Sequence, residues 1–293
     1  MQPPRVTIVT PSFNSARFLE ETIESVLAQD YPGIEYVVMD GGSQDGTLPI
    51  LERYRGRICY RSEPDHGAAD AINKGFGVGR GEIVAWLNAD DRYLPGAVRA
   101  AVEHLQENPA AAVAYGEACW TDETGRVLAP YPTMKPFDPA AFSRECPLCQ
   151  PACFIRREAM EEVGWLDSSL HSAFDYDLWI RLARRHVFSY MPKLLAHSRM
   201  HRANKSLGQR REVFEESMAV LQRHYGYVPV NWVYGYLCYR LDRRDQFFEP
   251  LRHSAPAYLA SLFVGAGYNR RHPARYAREW LARIGTLIRK PAK

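Results

Sequence analysis

Three places in the chain combine side-chain type and spacing in a way that could do chemistry. Asn88-Ala-Asp90-Asp91 follows the apolar run Ile83-Val-Ala-Trp-Leu87, so two neighbouring carboxylates sit where a buried strand would end. Like charges there repel, and a divalent cation that also binds phosphate oxygens relieves the repulsion. The competing reading is a helix N-cap, since Pro95 follows closely. Asp40-Gly-Gly-Ser43-Gln-Asp45-Gly-Thr47 pairs a hydrogen-bond acceptor for a base or ribose with small residues whose amides can approach a ligand. Taken alone, Asp40 reads better as an Asx turn entering the next helix. The loop lacks both GxGxxG and GxxxxGK[ST], so neither the dinucleotide fingerprint nor the P-loop explains it. Cys146, Cys149 and Cys153 are half of a zinc site at best, because no second CxxC or nearby His pair completes four ligands.

Loops of this kind need strands and helices to hold them. Val6-Thr-Ile-Val-Thr10 is a β-branched run ended by Pro11, and Ser15 is placed to cap a helix carrying Leu19, Ile23, Val26 and Leu27 on one face. Ile34 to Met39 reads as a second strand, Thr47 to Tyr54 as a helix and Ile58 to Tyr60 as a third strand. Ala68 to Phe76 is helical, Glu82 to Leu87 a strand, Pro95 to Glu107 a helix and Ala111 to Tyr115 a strand. This alternation predicts an α/β fold with a mostly parallel sheet flanked by helices, and ligands beyond the C-terminal strand ends. The loops after Thr10, Met39, Tyr60 and Leu87 are then the ones that matter. Beyond residue 116 the pattern becomes irregular and proline-rich, regains helical periodicity from Asp175 to His186, and breaks into several helices after Asn204.

In order and spacing, Thr10-Pro-Ser-Phe-Asn14, Val38-Met-Asp40-Gly-Gly-Ser43-Gln-Asp45-Gly-Thr47, Ser62-Glu-Pro-Asp65-His-Gly67, Asp70-Ala-Ile-Asn73-Lys-Gly75, Gly81-Glu-Ile and Trp86-Leu-Asn-Ala-Asp90-Asp91 with Pro95-Gly-Ala97 resemble the family 2 glycosyltransferases, which have the GT-A fold. The resemblance spans roughly residues 5–206. It implies a nucleotide site at Thr10, Pro11, Phe13, Asn14, Asp40, Ser43, Asp65, Asp70, Asn73, Asn88 and Asp90. It also implies a DxD motif in which Asp90 and Asp91, with His201, hold Mg2+ or Mn2+. Phe174-Asp175-Tyr-Asp177-Leu-Trp179 resembles the acidic motif that supplies the base of an inverting transfer. Asp175 aligns with the base and Asp177 is its rival; Phe174 stands where Glu is more usual. Either acid is otherwise a first-turn charge. Gln150 and Arg157 resemble residues lining the donor sugar and acceptor. Arg199-Met-His201-Arg202-Ala-Asn-Lys205-Ser206 resembles a mobile stretch in which Arg202 and Lys205 approach the diphosphate.

The implied activity is metal-dependent, inverting transfer of a sugar from a nucleoside-diphosphate donor to a hydroxyl of a glycan acceptor, lipid-linked, in cell-surface polysaccharide synthesis. A nucleotidyltransferase acting on a sugar phosphate and a non-catalytic glycan- or membrane-binding protein on the same fold are the alternatives. The expected division is a GT-A catalytic domain over residues 1–206 and a helical, basic and aromatic region over 207–293. The 293 residues carry a formal charge of only +3. That total hides 18 basic against 7 acidic residues from Arg199 onward, and 19 against 27 before it. Trp232, Tyr234, Tyr236, Tyr239, Phe247, Phe248, Tyr258, Phe263, Tyr268, Tyr276 and Trp280 lie among Arg240, Arg243, Arg244, Arg252, Arg270, Arg271, Arg275, Arg278 and Arg283. Such a tail suits the inner-membrane surface; packing on the core or an oligomer contact are its other uses, and nucleic acid is not expected as a partner. The start carries no apolar stretch with a cleavage site and no window is long enough to span a bilayer, so the expectation is a cytoplasmic, peripheral protein.

Overall fold

The computed structural model describes residues 3–242 and 254–289. Its contacts divide the chain into one unit holding residues up to Pro139 with Pro147–His201, and a second holding Ala140–Cys146 with the chain from Arg202 onward.

In the first unit, β1 (Val6–Ser12) is buried at every residue, and β2 (Ile34–Asp40) pairs with it in parallel, Val6 opposite Ile34 and Ser12 opposite Asp40. Between them α1 (Leu19–Leu27) buries Leu19, Thr22, Ile23 and Val26, the three- and four-residue spacing of one helical face. α2 (Thr47–Arg53) leads to β3 (Cys59–Ser62), parallel to β2; α3 (Ala68–Val78) then leads to β4 (Ile83–Trp86), which pairs with the other side of β1. The strand order therefore reverses between β1 and β4, the kind of switch point beyond whose C-terminal strand ends ligands bind in open α/β sheets.

The unit is completed by β5 (Arg92–Tyr93), α4 (Ala97–Glu107), β6 (Ala111–Thr121), β7 (Val127–Pro130), β8 (Cys153–Arg156), α5 (Arg157–Val163), α6 (Phe174–Ala183) and β9 (Val187–Arg199). The sheet runs β3-β2-β1-β4-β8-β6-β9-β5, with β7 on β6. β8 enters antiparallel to both β4 and β6, β9 lies parallel to β6, and β5 is antiparallel to β9. The parallel half is the one the alternation identifies; the distal half is mixed. The stretch that looks irregular after residue 116 contains β8 and the 13-residue β9.

One local expectation changes. The Ser15 hydroxyl does not cap α1: it bonds within its own turn, to Phe13, while the Ser15 carbonyl accepts the N–H groups of Phe18 and Leu19. Among the described residues no group of three or more His, Cys, Asp or Glu side chains could hold a metal, so the cysteine trio is not a zinc site, and all six cysteines are thiols. α6 is fastened to the sheet by aromatic stacking. Trp179 lies 5.7 Å from Trp86 at an interplanar angle of 13°, and both rings are fully buried.

The second unit contains α7 (Lys205–Gly208), α8 (Arg210–Tyr225), α9 (Val230–Asp242), α10 (Ala255–Tyr268) and α11 (Pro273–Arg289). Its rings mostly face one another: Phe214 meets Trp232, Tyr236 and Tyr239, Tyr234 meets Tyr258, Tyr258 stacks on Trp280, and Tyr227 meets Tyr276. The aromatic tail is thus largely the core of this unit, with Phe263 and Tyr268 turned outward. Arg243, Arg244, Phe247, Phe248 and Arg252 lie outside the described residues.

Replacing Trp179 with Ala is expected to cost about 3–5 kcal/mol in urea unfolding, the range for truncating a large buried ring, and Trp179→Phe less. An Ala cost below about 1 kcal/mol would mean that the stack does not hold α6.

Candidate active site

The corner after β4 is built by residues from three elements. Asp91 is buried, and its Oδ1 accepts the main-chain N–H of Arg199 at the end of β9 (2.8 Å), while its Oδ2 accepts from the Asn88 amide (3.3 Å). The Thr22 hydroxyl of α1 donates to the Asp91 carbonyl at 2.8 Å, so the turn is pinned from the helix side as well. Asp90, half-buried, faces His201, with 2.9 Å between its Oδ2 and the imidazole Nε2. Arg199 is buried too. Its guanidinium donates to the carbonyls of Asp90 (3.0 Å) and Glu123 (2.8 Å) and to the Glu21 carboxylate, and lies 4.4 Å over the Phe18 ring. Burial pushes the Asp91 carboxyl well above the usual carboxylate range, and the neighbouring Asp90 charge pushes it further against the opposing hydrogen bonds.

A buried carboxylate short of positive charge, beside a second carboxylate and an imidazole, fits part of a divalent-cation site. The protein donors alone do not complete one, since no three such side chains converge among the described residues. Phosphate oxygens of a bound diphosphate would supply the remainder, the usual arrangement for Mg2+.

The loops after β1 and β2 are tied to each other. Asp40 is buried and accepts four hydrogen bonds: the Ser43 hydroxyl, the N–H groups of Gly42 (3.2 Å) and Ser43 (3.0 Å), and the Ser62 hydroxyl (2.7 Å). It behaves here as the Asx-turn organiser of its loop. Asn14, in the left-handed region at φ 48°, donates its N–H to the Ser43 hydroxyl and accepts the Gln44 N–H through Oδ1. Thr10 is buried against the Tyr36 hydroxyl and Pro11 is buried, whereas Phe13 stands out at 64% exposure. Asp65 comes close to this loop because position 41 is Gly; a Cβ there would lie 2.8 Å from the Asp65 carboxylate. Asp65 also accepts the Gly67 N–H, and Asp70 accepts the His66 N–H and pairs with Lys74.

Gln150 links the end of β4 to the turn that follows it. It donates to the Trp86 carbonyl at 2.7 Å, and its Oε1 lies 3.4 Å from the Asn88 amide. Burial pushes the thiol of nearby Cys153 well up, and the charge of Asp175 adds to that. The two acids of α6 differ in kind. Asp177 is buried and paired with Arg181 at 2.7 Å, and Arg181 also holds the carbonyls of Val163 and Trp165. Asp175 is half-buried.

Two expected site residues are placed elsewhere by their hydrogen bonds. Arg157 donates to the carbonyls of Gly81 (2.6 Å), Phe76 (3.1 Å) and Gly79 (3.0 Å), beside Thr7 near the start of β1, so it closes the end of α3 at the opposite edge of the sheet. Asn73 clamps the main chain of Leu166 in both directions, fixing α3 to the segment after α5. Arg202 and Lys205 belong to the second unit, Lys205 opening α7 behind an Asn204 cap. Arg199, taken from sequence as part of a mobile stretch, is instead a buried strand end; the apolar Leu194-Leu-Ala196 before it was the available signal. Glu21 and Ser62 have no local signature that marks them.

A family model described as Glycosyl transferase family 2 matches residues 7–164. An uncharacterized glycosyltransferase of Rickettsia typhi is 30% identical over 224 residues, covering 71% of this chain and 69% of that protein. A putative teichuronic acid biosynthesis glycosyltransferase of Bacillus subtilis, TuaG, is 35% identical over 113 residues, 37% of this chain and 44% of that protein. Among solved structures, S. aureus TarS residues 1–349 in complex with UDP superposes with a TM-score of 0.61 at 16% identity, over 93% of this chain and 82% of that one. The mannosyltransferase PcManGT from Pyrobaculum calidifontis, in complex with GDP-Man and Mn2+, gives 0.59 at 19% identity, over 98% and 88%. At these identities the structural likeness establishes the GT-A-like fold.

The Asp91 environment sets a pH dependence. As pH rises from about 4, the unfolded chain ionises this group while the folded one retains its proton, so the cation-free protein loses stability until the raised folded pKa is passed. Asp91→Asn removes that loss. The melting temperature of the variant relative to that of the parent is expected to rise as pH rises above the usual carboxylate range; a difference independent of pH would contradict the buried-charge account.

Proposed function

The chain belongs to glycosyl transferase family 2, and we propose that this glycosyltransferase moves a sugar, with inversion, from a nucleoside diphosphate to a hydroxyl of a lipid-linked glycan during cell-surface polysaccharide synthesis. The observation that carries the reading is the Asp90–Asp91 corner after β4, where a buried carboxyl lies beside a second carboxylate that faces His201. TuaG, by its name, acts in teichuronic acid biosynthesis, and TarS and PcManGT hold UDP and GDP-Man with Mn2+. These names support a nucleotide-sugar donor and a surface-glycan product.

In this reading residues 1–206 form the catalytic domain, and 207–293 serve the acceptor side. The loops after β1 and β2 receive the nucleoside. Phe13 offers an exposed ring, and the Asp40-organised turn offers main-chain and hydroxyl groups, with Asp65 at its edge. Mg2+ or Mn2+ held by Asp90 and Asp91, with His201 beside them, would neutralise charge on the departing diphosphate. The acceptor oxygen forms its bond to the anomeric carbon as the bond from that carbon to the diphosphate breaks, and the hydroxyl proton passes to a carboxylate. Asp175 suits that role better than Asp177, whose charge is already spent on Arg181 inside the core. Gln150, held between Trp86 and Asn88, lines the path from the corner to α6.

Incubation with a panel of nucleotide sugars and lipid-linked acceptors should release nucleoside diphosphate, and EDTA should abolish release; pyrophosphate release from a nucleoside triphosphate would instead support nucleotidyl transfer. Asp175→Asn is expected to lower transfer about 10²–10⁴-fold with donor binding within a few-fold of the parent. Asp177→Asn should act first on stability, by about 3 kcal/mol, because it strands a mostly buried guanidinium. Undiminished transfer by Asp175→Asn would remove it from the base role.

A further inference from the structure

α10 carries no charged side chain along its 14 residues. Its inward face is accounted for: Ala257, Tyr258, Ser261 and Gly265 are buried, Tyr258 stacks on Trp280 at 4.5 Å, and Tyr276 donates its hydroxyl to the Ser261 carbonyl. Gly265 permits that approach, since a Cβ there would overlap the Tyr276 ring at 1.9 Å. The outward face is apolar as well. Leu259 and Phe263, one turn apart, are 59% and 77% exposed, among exposed Ala255, Pro256, Ala266 and Gly267. A helix on the surface of a globular protein normally carries polar residues on that side.

The rest of the hairpin is cationic, with Arg275 also lying 3.8 Å over the Tyr227 ring. Arg270 and Arg271 in the turn, and Arg275 and Arg278 on α11, are all exposed, together with Leu281 at 58%. The one acidic residue between Ser254 and Arg283, Glu279, is turned inward and accepts the Tyr227 hydroxyl and the Val230 N–H. The hairpin thus presents bare apolar side chains beside positive charge, with no outward carboxylate among its described residues. At 14 residues α10 is about 21 Å long, well short of the ~30 Å hydrocarbon core, and no described helix is long and apolar enough to cross a membrane.

We propose that the α10–α11 hairpin docks on the surface of an anionic bilayer, with Leu259 and Phe263 entering the headgroup boundary and the four arginines meeting lipid phosphates. Charge decides between this occupant and a second copy of the chain. A twofold contact through the same face would bring its arginines toward one another, and like charges across an interface are costly. The inference rests on the reading of a lipid-linked acceptor, which such docking would bring within reach, but vesicle binding is measured without donor or acceptor and so can fail independently of it.

The test is co-sedimentation of the full chain with phosphatidylcholine vesicles, with and without phosphatidylglycerol. Binding to the anionic vesicles is expected to be at least about tenfold stronger than to the neutral ones, and to fall in about 0.5 M salt. Leu259→Ser with Phe263→Ser should weaken it about tenfold or more, and Arg270→Gln with Arg271→Gln by a similar factor, with melting curves verifying that each variant folds. The proposal is overturned by absent sedimentation with anionic vesicles, by equal binding of the Leu259/Phe263 variant, or by a concentration-dependent dimer that this variant abolishes while vesicle binding is unchanged.

Discussion

The main-chain N–H of Arg199, at the last residue of β9, donates to the carboxylate of Asp91, just past the end of β4. Most of the site depends on that contact. It joins the end of a strand in the distal half of the sheet to the turn at the β1/β4 crossover, and it does so in a place where burial disfavours the very charge it contacts. The guanidinium of the same residue holds the Asp90 carbonyl and reaches Glu21 and Glu123, so both acids are oriented from one side. Such an arrangement keeps a carboxylate pair in register at a cost in stability that a cation could offset. In the proposed reading, structural and functional demands oppose each other at Asp91, which is common where a site is organised ahead of its ligand.

The rest of the first unit links this corner to the other candidate groups. Asn88 and Gln150 form a short amide relay from Asp91 to the Trp86 carbonyl, and the Trp86–Trp179 stack holds the helix that begins with Asp175. Positioning is thus achieved by buried, geometrically specific contacts rather than by surface ion pairs. Exposed pairs such as Arg53–Glu20 and Arg55–Glu52 contribute little by comparison. The charge contrast along the chain follows the same division: the acids that matter are fixed near the sheet's C-terminal edge, while the exposed arginines of the α10–α11 hairpin stand apart from any outward carboxylate of their own.

Legibility in the sequence followed the range of the interactions. β1, β2 and β4 and the loops after them are short, contiguous patterns, and their residues are found where the alternation puts them. β8 and β9 were hidden because their partners lie far along the chain and prolines interrupt the approach; pairing with β4, β5 and β6 makes them strands. The Asx turn at Asp40 was legible from its local sequence, whereas the geometry of Arg157 was not. Asp40 turns its carboxylate to its own loop and to Ser62, and Arg157 points to the opposite sheet edge. Composition alone also suggested a lipid-facing aromatic tail, whereas ring-to-ring packing consumes most of those side chains and leaves α10 with the bare apolar face.

The central claim is that the Asp90–Asp91 corner is a cation–diphosphate seat prepared in advance by β9. Anomalous diffraction at the manganese edge, from crystals grown with Mn2+ and UDP or GDP, tests it most directly. A single strong peak is expected, bounded by the Asp90 and Asp91 carboxylates and the nucleotide's phosphates, with the Arg199-to-Asp91 contact intact. A nucleotide bound with its diphosphate away from this corner, or manganese located elsewhere in the chain, would contradict it.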